Sequence, residues 1–149
     1  MPEIRHRVGI AAPTERVYAA LATKDGVARF WTNQVEGDAE VGSTLSFFFG
    51  GPTPAAVMEI IVLSPNERVQ WRCVDGPSDW IGTSVTFDVA DTDGEAVVLF
   101  THSGWREPTE FMHHCSTKWG TFLIGLRGGL EGGDFTAFPD DTRISSSWR

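Results

Sequence analysis

The chain predicts an α+β fold in which a curved antiparallel sheet carries one long C-terminal helix across its apolar face, with two short helices after the first strand. Three observations lead there. A strand-like run at the N-terminus gives way to helical spacing; about seventy residues of alternating strands and turns follow; after Trp105 the period turns helical and holds to Gly132-Gly133. An antiparallel sheet with one apolar face needs that face covered, and the last helix is the only element sized to do it.

Taken in order, Glu3 to Ile10 alternates around Ile4, Val8 and Ile10 and reads as a strand that stops before the helix-start signal Pro13-Thr14-Glu15. Val17, Ala20 and Leu21 have helical spacing, and Thr23 can cap a second short helix carrying Val27, Phe30 and Trp31. From Thr32 the texture is that of a meander of six strands. Thr44 to Phe49, Met58 to Leu63, Arg68 to Val74, Thr83 to Val89 and Ala96 to His102 are its clearest runs. Gly50-Gly51-Pro52, Ser64-Pro65-Asn66-Glu67, Asp75-Gly76-Pro77 and Asp91-Thr92-Asp93-Gly94 punctuate them. The final helix has Glu107 and Glu110 near its N-terminus, where acidic groups favour the helix dipole. Roughly twenty-two residues of helix span about 33 Å, the width of a whole sheet. Gly128 and Gly129 weaken its last turn, and the tail from about residue 134 reads as irregular.

At 149 residues the chain is expected to be one domain, 1–149, able to bury its own core. Twenty acidic against twelve basic residues give a net charge of -8, which disfavours nucleic acid and anionic membranes as partners. The two cysteines, Cys73 and Cys115, are far apart in a chain without a signal-peptide pattern, so reduced thiols and a cytoplasmic setting are expected. No apolar run reaches transmembrane length. No nucleotide-binding, serine-hydrolase or paired-cysteine motif occurs in a supporting context, and no cofactor is expected.

The stretch from His102 to Glu131 is chemically the richest. On a helical wheel Lys118, Phe111, Phe122, Cys115, Leu126, Trp119, Met112, Leu130 and Leu123 share one arc, so a thiol, an ammonium and an indole sit among core-type residues. Large aromatics with few polar points form either core or the wall of a small-molecule pocket. Phe30, Trp31, Phe47, Phe49, Trp71, Phe87, Phe100, Phe111, Trp119 and Phe122 are candidates for the inward faces, with Met58 and Cys73 beside them.

Four polar positions need separate weighing. His102 shares strand parity with Val98 and Phe100; it is either an inward general acid or base, or a neutral imidazole bonded within the core. Cys115 and Cys73 either line a cavity or are small core residues, and Cys115, with Lys118 three residues on to promote a thiolate, is a candidate nucleophile. Lys118 either carries its ammonium to the helix end or anchors the carboxylate of an acidic apolar ligand; Lys118→Met is then expected to leave the fold intact and weaken acids alone. The run His113-His114-Cys115 has zinc-type residues at the wrong spacing, because adjacent helical residues point 100° apart, and no metal is expected.

Several motifs together resemble the START-like (SRPBCC, Bet v 1-like) superfamily, in its branch named after the heat-shock-protein ATPase activator homologues. They are Ala12-Pro13-Thr14-Glu15-Arg16-Val17-Tyr18-Ala19-Ala20-Leu21, the Phe30-Trp31 pair, Val41-Gly42-Ser43-Thr44-Leu45, and Ser64-Pro65-Asn66-Glu67-Arg68-Val69-Gln70-Trp71. Thr101-His102-Ser103-Gly104-Trp105 and Trp119-Gly120, followed by Leu123, Leu126 and Leu130, complete the set. The resemblance implies a helix-grip fold, with a sheet wrapped around the last helix and an internal apolar cavity. It implies binding of an apolar or amphipathic small molecule, an enzyme of cyclase/aromatase or hydrolase type on the same cavity, or an interaction module with a filled interior. A homodimer is compatible with all three.

Overall fold

The structure is a computed structural model describing residues 1–148. Strand β1 (Ile4–Ile10) leads into helices α1 (Thr14–Ala22) and α2 (Lys24–Phe30). Pro13 precedes α1, and the Thr23 hydroxyl caps α2 by accepting from Gly26 N at 3.0 Å. Six strands follow: β2 (Gln34–Gly37), β3 (Thr44–Phe48), β4 (Ala56–Ser64), β5 (Arg68–Asp75), β6 (Ser84–Thr92) and β7 (Glu95–Ser103). Helix α3 (Glu110–Leu130) closes the element order, capped by Thr109 and stopped by Gly132, whose φ of 102° a glycine adopts freely.

The seven strands form one antiparallel sheet in the order β1-β7-β6-β5-β4-β3-β2. This is the sheet-and-helix architecture expected from the element order, and it is the helix-grip fold that the resemblance implies. The strands run a little past the sequence boundaries at β6 and β7, leaving Asp93-Gly94 as a two-residue turn with both φ angles positive. Irregularities in the β4–β5 register at Val57/Met58 and Ile60/Val62 bend the sheet.

Strand alternation sets one face inward. A transverse row runs Ile4, His102, Val85, Trp71 and Ile60 across five strands, and a parallel row carries Phe100 and Phe87. These side chains are buried together with Val17, Leu21, Val27 and Phe30 of the short helices and with Trp119, Phe122, Leu123 and Leu126 of α3. Edge strand β1 is tied to α3 where His6 Nε2 meets the Ser116 carbonyl at 2.9 Å. Among the described residues no helix is long and apolar enough to cross a membrane.

Candidate functional site

Between α3, the end of α2, the β5–β6 loop and the C-terminal tail lies an apolar cavity of about 560 Å³, a size suited to a small organic molecule. Helix α3 contributes Phe111, His114, Cys115, Lys118, Trp119 and Phe122, which recur at helical spacing on one side. Trp31 and Phe49 form the sheet-side corner, Trp80 projects from the β5–β6 loop, and Phe138, Asp141, Ile144 and Trp148 close the site from the tail.

Local chemistry places each wall. Trp80 stacks nearly parallel with Trp31 at 6.3 Å between centroids and with Trp119 at 6.1 Å, while Trp31 and Trp119 are tilted by 31° at 4.9 Å. The loop bearing Trp80 is stitched to the end of β5 by bonds from Gly82 N to Cys73 O and from Cys73 N to Thr83 O, each 2.9 Å. The tail runs back along α3. Phe135 rests on Gly129 and Thr136 on Gly125, where a Cβ on either glycine would collide with the tail. Phe138 N donates to Trp31 O at 2.9 Å, and its carbonyl accepts from Asn33 N at 3.1 Å. Farther along, Asp141 reaches Lys118, and Trp148 packs edge-on against Phe111 and His114.

The polar points of the cavity are few. Lys118 and Asp141 form a buried ion pair, their side chains 12% and 5% exposed. The ammonium also donates to Thr142 O at 2.9 Å and lies 4.9 Å from the Phe122 ring centre. Asp141 Oδ1, His114 Nε2 and Trp80 Nε1 are buried without a hydrogen-bond partner.

His102 lies behind this wall and is fully buried. Trp119 Nε1 can only donate, so Nδ1 of His102 accepts at 3.2 Å and the proton sits on Nε2. Nε2 then donates to Thr83 Oγ1 at 2.8 Å, and that hydroxyl donates to Trp80 O at 2.6 Å. Burial drives the imidazole pKa down to about 3, so the ring is neutral and both nitrogens are used. The cysteines are equally quiet. Burial pushes Cys115 up to about 12 and Cys73 to about 11. The Trp80 indole N–H offsets a little of the Cys115 rise without making a well-formed hydrogen bond.

Of the residues singled out in the sequence, Trp31, Phe49, Phe111, Cys115, Lys118, Trp119 and Phe122 line the cavity. Phe30, Phe47, Met58, Trp71, Cys73, Phe87, Phe100 and His102 do not; strand parity turns them inward, but they are packed against one another behind the Trp31–Trp119 wall. The Lys118 ammonium is turned to the tail, where Asp141 pairs with it and the Thr142 carbonyl accepts from it. Trp80, Phe138, Asp141 and Trp148 escaped the sequence reading, and His114 entered it only as a residue of zinc-binding type. Trp80 and the tail lie in segments without period. For the tail, a usable signal is the Gly125/Gly129 pair, which leaves room on one helix face for the segment carrying Phe135 and Thr136. Among the described residues no three His, Cys, Asp or Glu side chains gather as a metal site.

Comparison with known proteins adds a family. The family model described as Activator of Hsp90 ATPase homolog 1-like protein matches residues 11–131. The Aha1 dimer of Colwellia psychrerythraea, solved in solution, is 42% identical, with a TM-score of 0.81 over 89% of this chain and 98% of that one. CalU16 from Micromonospora echinospora superposes with a TM-score of 0.71 at 16% identity, covering 95% of this chain and 77% of its own. DynU16, from the dynemicin biosynthetic locus, gives 0.74 at 20% identity over 93% of this chain and 50% of its own. The last two share the fold. No curated protein matches the sequence.

Proposed function

The chain belongs to the Activator of Hsp90 ATPase homolog 1-like family, and on that footing we propose that it binds an apolar or amphipathic small molecule in the cavity between α3, the Trp31 corner and the C-terminal tail. The observation that carries this reading is the cavity itself: about 560 Å³, walled by aromatic rings and holding one buried ion pair. A site filled by its own side chains would favour a pure interaction module instead; this space is the size of a ligand.

A catalytic role on the same cavity has less support. His102 is neutral, sealed from the cavity and saturated with hydrogen bonds, and both thiols are far from forming thiolate at neutral pH. A cyclase-like reaction would have to rest on positioning by the aromatic walls. The same proposal includes a homodimer, in line with the dimeric Colwellia relative, and a cytoplasmic setting, in line with two buried free thiols.

Native mass spectrometry of freshly purified protein, before and after organic extraction, tests binding, alongside a thermal-shift panel of neutral and acidic apolar compounds. Binding predicts a removable added mass or a compound that raises Tm; at a hundredfold excess over Kd the stabilisation is about 2.7 kcal/mol. No carried mass and no response anywhere in the panel overturns the reading.

A further inference from the structure

The hydrogen-bonding groups left on the cavity wall are unequal, and the inequality defines what the ligand must bring. Lys118 has three donor directions, two of them spent on Asp141 Oδ2 and the Thr142 carbonyl, and its ammonium lies 4.9 Å from the Phe122 ring centre. The other oxygen of the same carboxylate, Asp141 Oδ1, is buried with no partner, on a side chain 5% exposed. Asp141 has thus met its cation and still presents lone pairs to an apolar space. Next along that wall, His114 Nε2 and the Trp80 indole N–H are also buried and unpaired. The remaining charged group of the lining, Arg143, sits on the exposed tail and donates to Ser145 O at 3.2 Å.

A carboxylate entering here meets an ammonium whose charge Asp141 already balances and, beside it, the lone pairs of Asp141 itself, a like-charge contact in a medium of low dielectric. A wholly apolar ligand leaves Asp141 Oδ1 desolvated and unsatisfied. A hydroxyl resolves both problems: it adds no charge, and its proton completes the open carboxylate oxygen of Asp141. We propose that this site selects neutral hydroxylated aromatic or alicyclic molecules over acids, with the ligand hydroxyl donating to Asp141 Oδ1 while its ring lies among Trp31, Trp80 and Trp119. The inference rests on the cavity-binding reading above and sharpens its ligand class.

Three probes of one shape separate the alternatives: 2-naphthol, its methyl ether 2-methoxynaphthalene, and 2-naphthoate, titrated calorimetrically into the full chain at pH 7. A hydrogen bond to a charged acceptor predicts that 2-naphthol binds about tenfold or more tighter than either of the others. In the double variant Lys118→Met/Asp141→Leu, which removes both charges together, the preference of the alcohol over the ether shrinks to about twofold or less. Equal affinity of alcohol and ether in the wild-type protein, or tighter binding of the naphthoate, overturns the selectivity and leaves cavity binding standing. Absence of binding by all three, together with a silent thermal-shift panel, overturns both.

Discussion

Trp119 on α3 donates its indole N–H to Nδ1 of His102 on β7 across 3.2 Å, and this single bond dictates the tautomer of a fully buried imidazole. Helix and sheet are thereby joined through a polar chain running Trp119, His102, Thr83, Trp80 O, with every donor used once. The loop that positions Trp80 at the cavity is anchored at the far end of this chain.

Acid should therefore loosen the fold. The folded-state pKa of His102 is about 3 and its ordinary value 6.5, so the unfolded chain binds the proton more readily. His102 costs nothing above about pH 6.5, and the protein loses on the order of 1 kcal/mol for each unit between there and about pH 3. Urea denaturation at pH 7 and pH 5 checks this against His102→Gln, which keeps a donor and an acceptor but does not titrate. The wild-type protein should lose about 2 kcal/mol more than the variant over that interval. Equal losses would show that another group governs the acid response.

Two neighbouring glycines of α3 should respond oppositely to alanine. Gly128 has open space around its missing Cβ, so Gly128→Ala gains helix propensity and should raise stability by about 1 kcal/mol. At Gly129 the new methyl meets the Phe135 ring, which also lies under the Arg29 guanidinium. Gly129→Ala should free the tail, seen as faster proteolysis beyond residue 133 and no rise in Tm. A stabilised Gly129→Ala variant with a protected tail would contradict the docked position of Phe135.

Lys118→Met, expected from the sequence to be silent for the fold, should instead destabilise. It leaves the Asp141 carboxylate buried without its cation, a change that typically costs about 3 kcal/mol. The double variant Lys118→Met/Asp141→Leu should recover most of the loss, because two apolar groups replace two charges. Chemical denaturation of the single and double variants gives the comparison directly, and a neutral single variant would mean the pair is solvated in solution.

The thiols should be inert until the protein opens. With Cys115 pushed up to about 12 and Cys73 to about 11 by burial, a disulfide reagent at pH 8 should titrate neither in the folded protein and both in denaturant. Rapid labelling of folded Cys115 would revive the nucleophile reading.

Periodicity carried the fold because strands and helices here obey their two repeats closely. Thr23 capped α2, Thr44 opened β3, and the arc from Phe111 to Leu130 became the buried side of α3. The site was legible only in half. Alternation says that Phe87 and Trp71 point inward, but an inward direction is shared by residues packed in the core and residues facing a cavity. Trp31 and Trp119 belong to the second group and Phe87 to the first because of where the helices lie, which is tertiary information. Trp80 and Asp141 sit in irregular backbone, where no repeat advertises a buried face; glycines at 125 and 129 are a local trace only of the tail at Phe135 and Thr136.

The six tryptophans supply the most direct test of the central claim, that a small molecule occupies the cavity under the tail. Trp31, Trp80, Trp119 and Trp148 line it, while Trp71 and Trp105 are buried behind its wall, against Trp31 and Phe111. In a ¹H–¹⁵N spectrum resolving the indole N–H signals, saturating 2-naphthol should shift the first four and leave Trp71 and Trp105 nearly in place. Shifts confined to Trp71 and Trp105, or none at saturating ligand, would contradict the account.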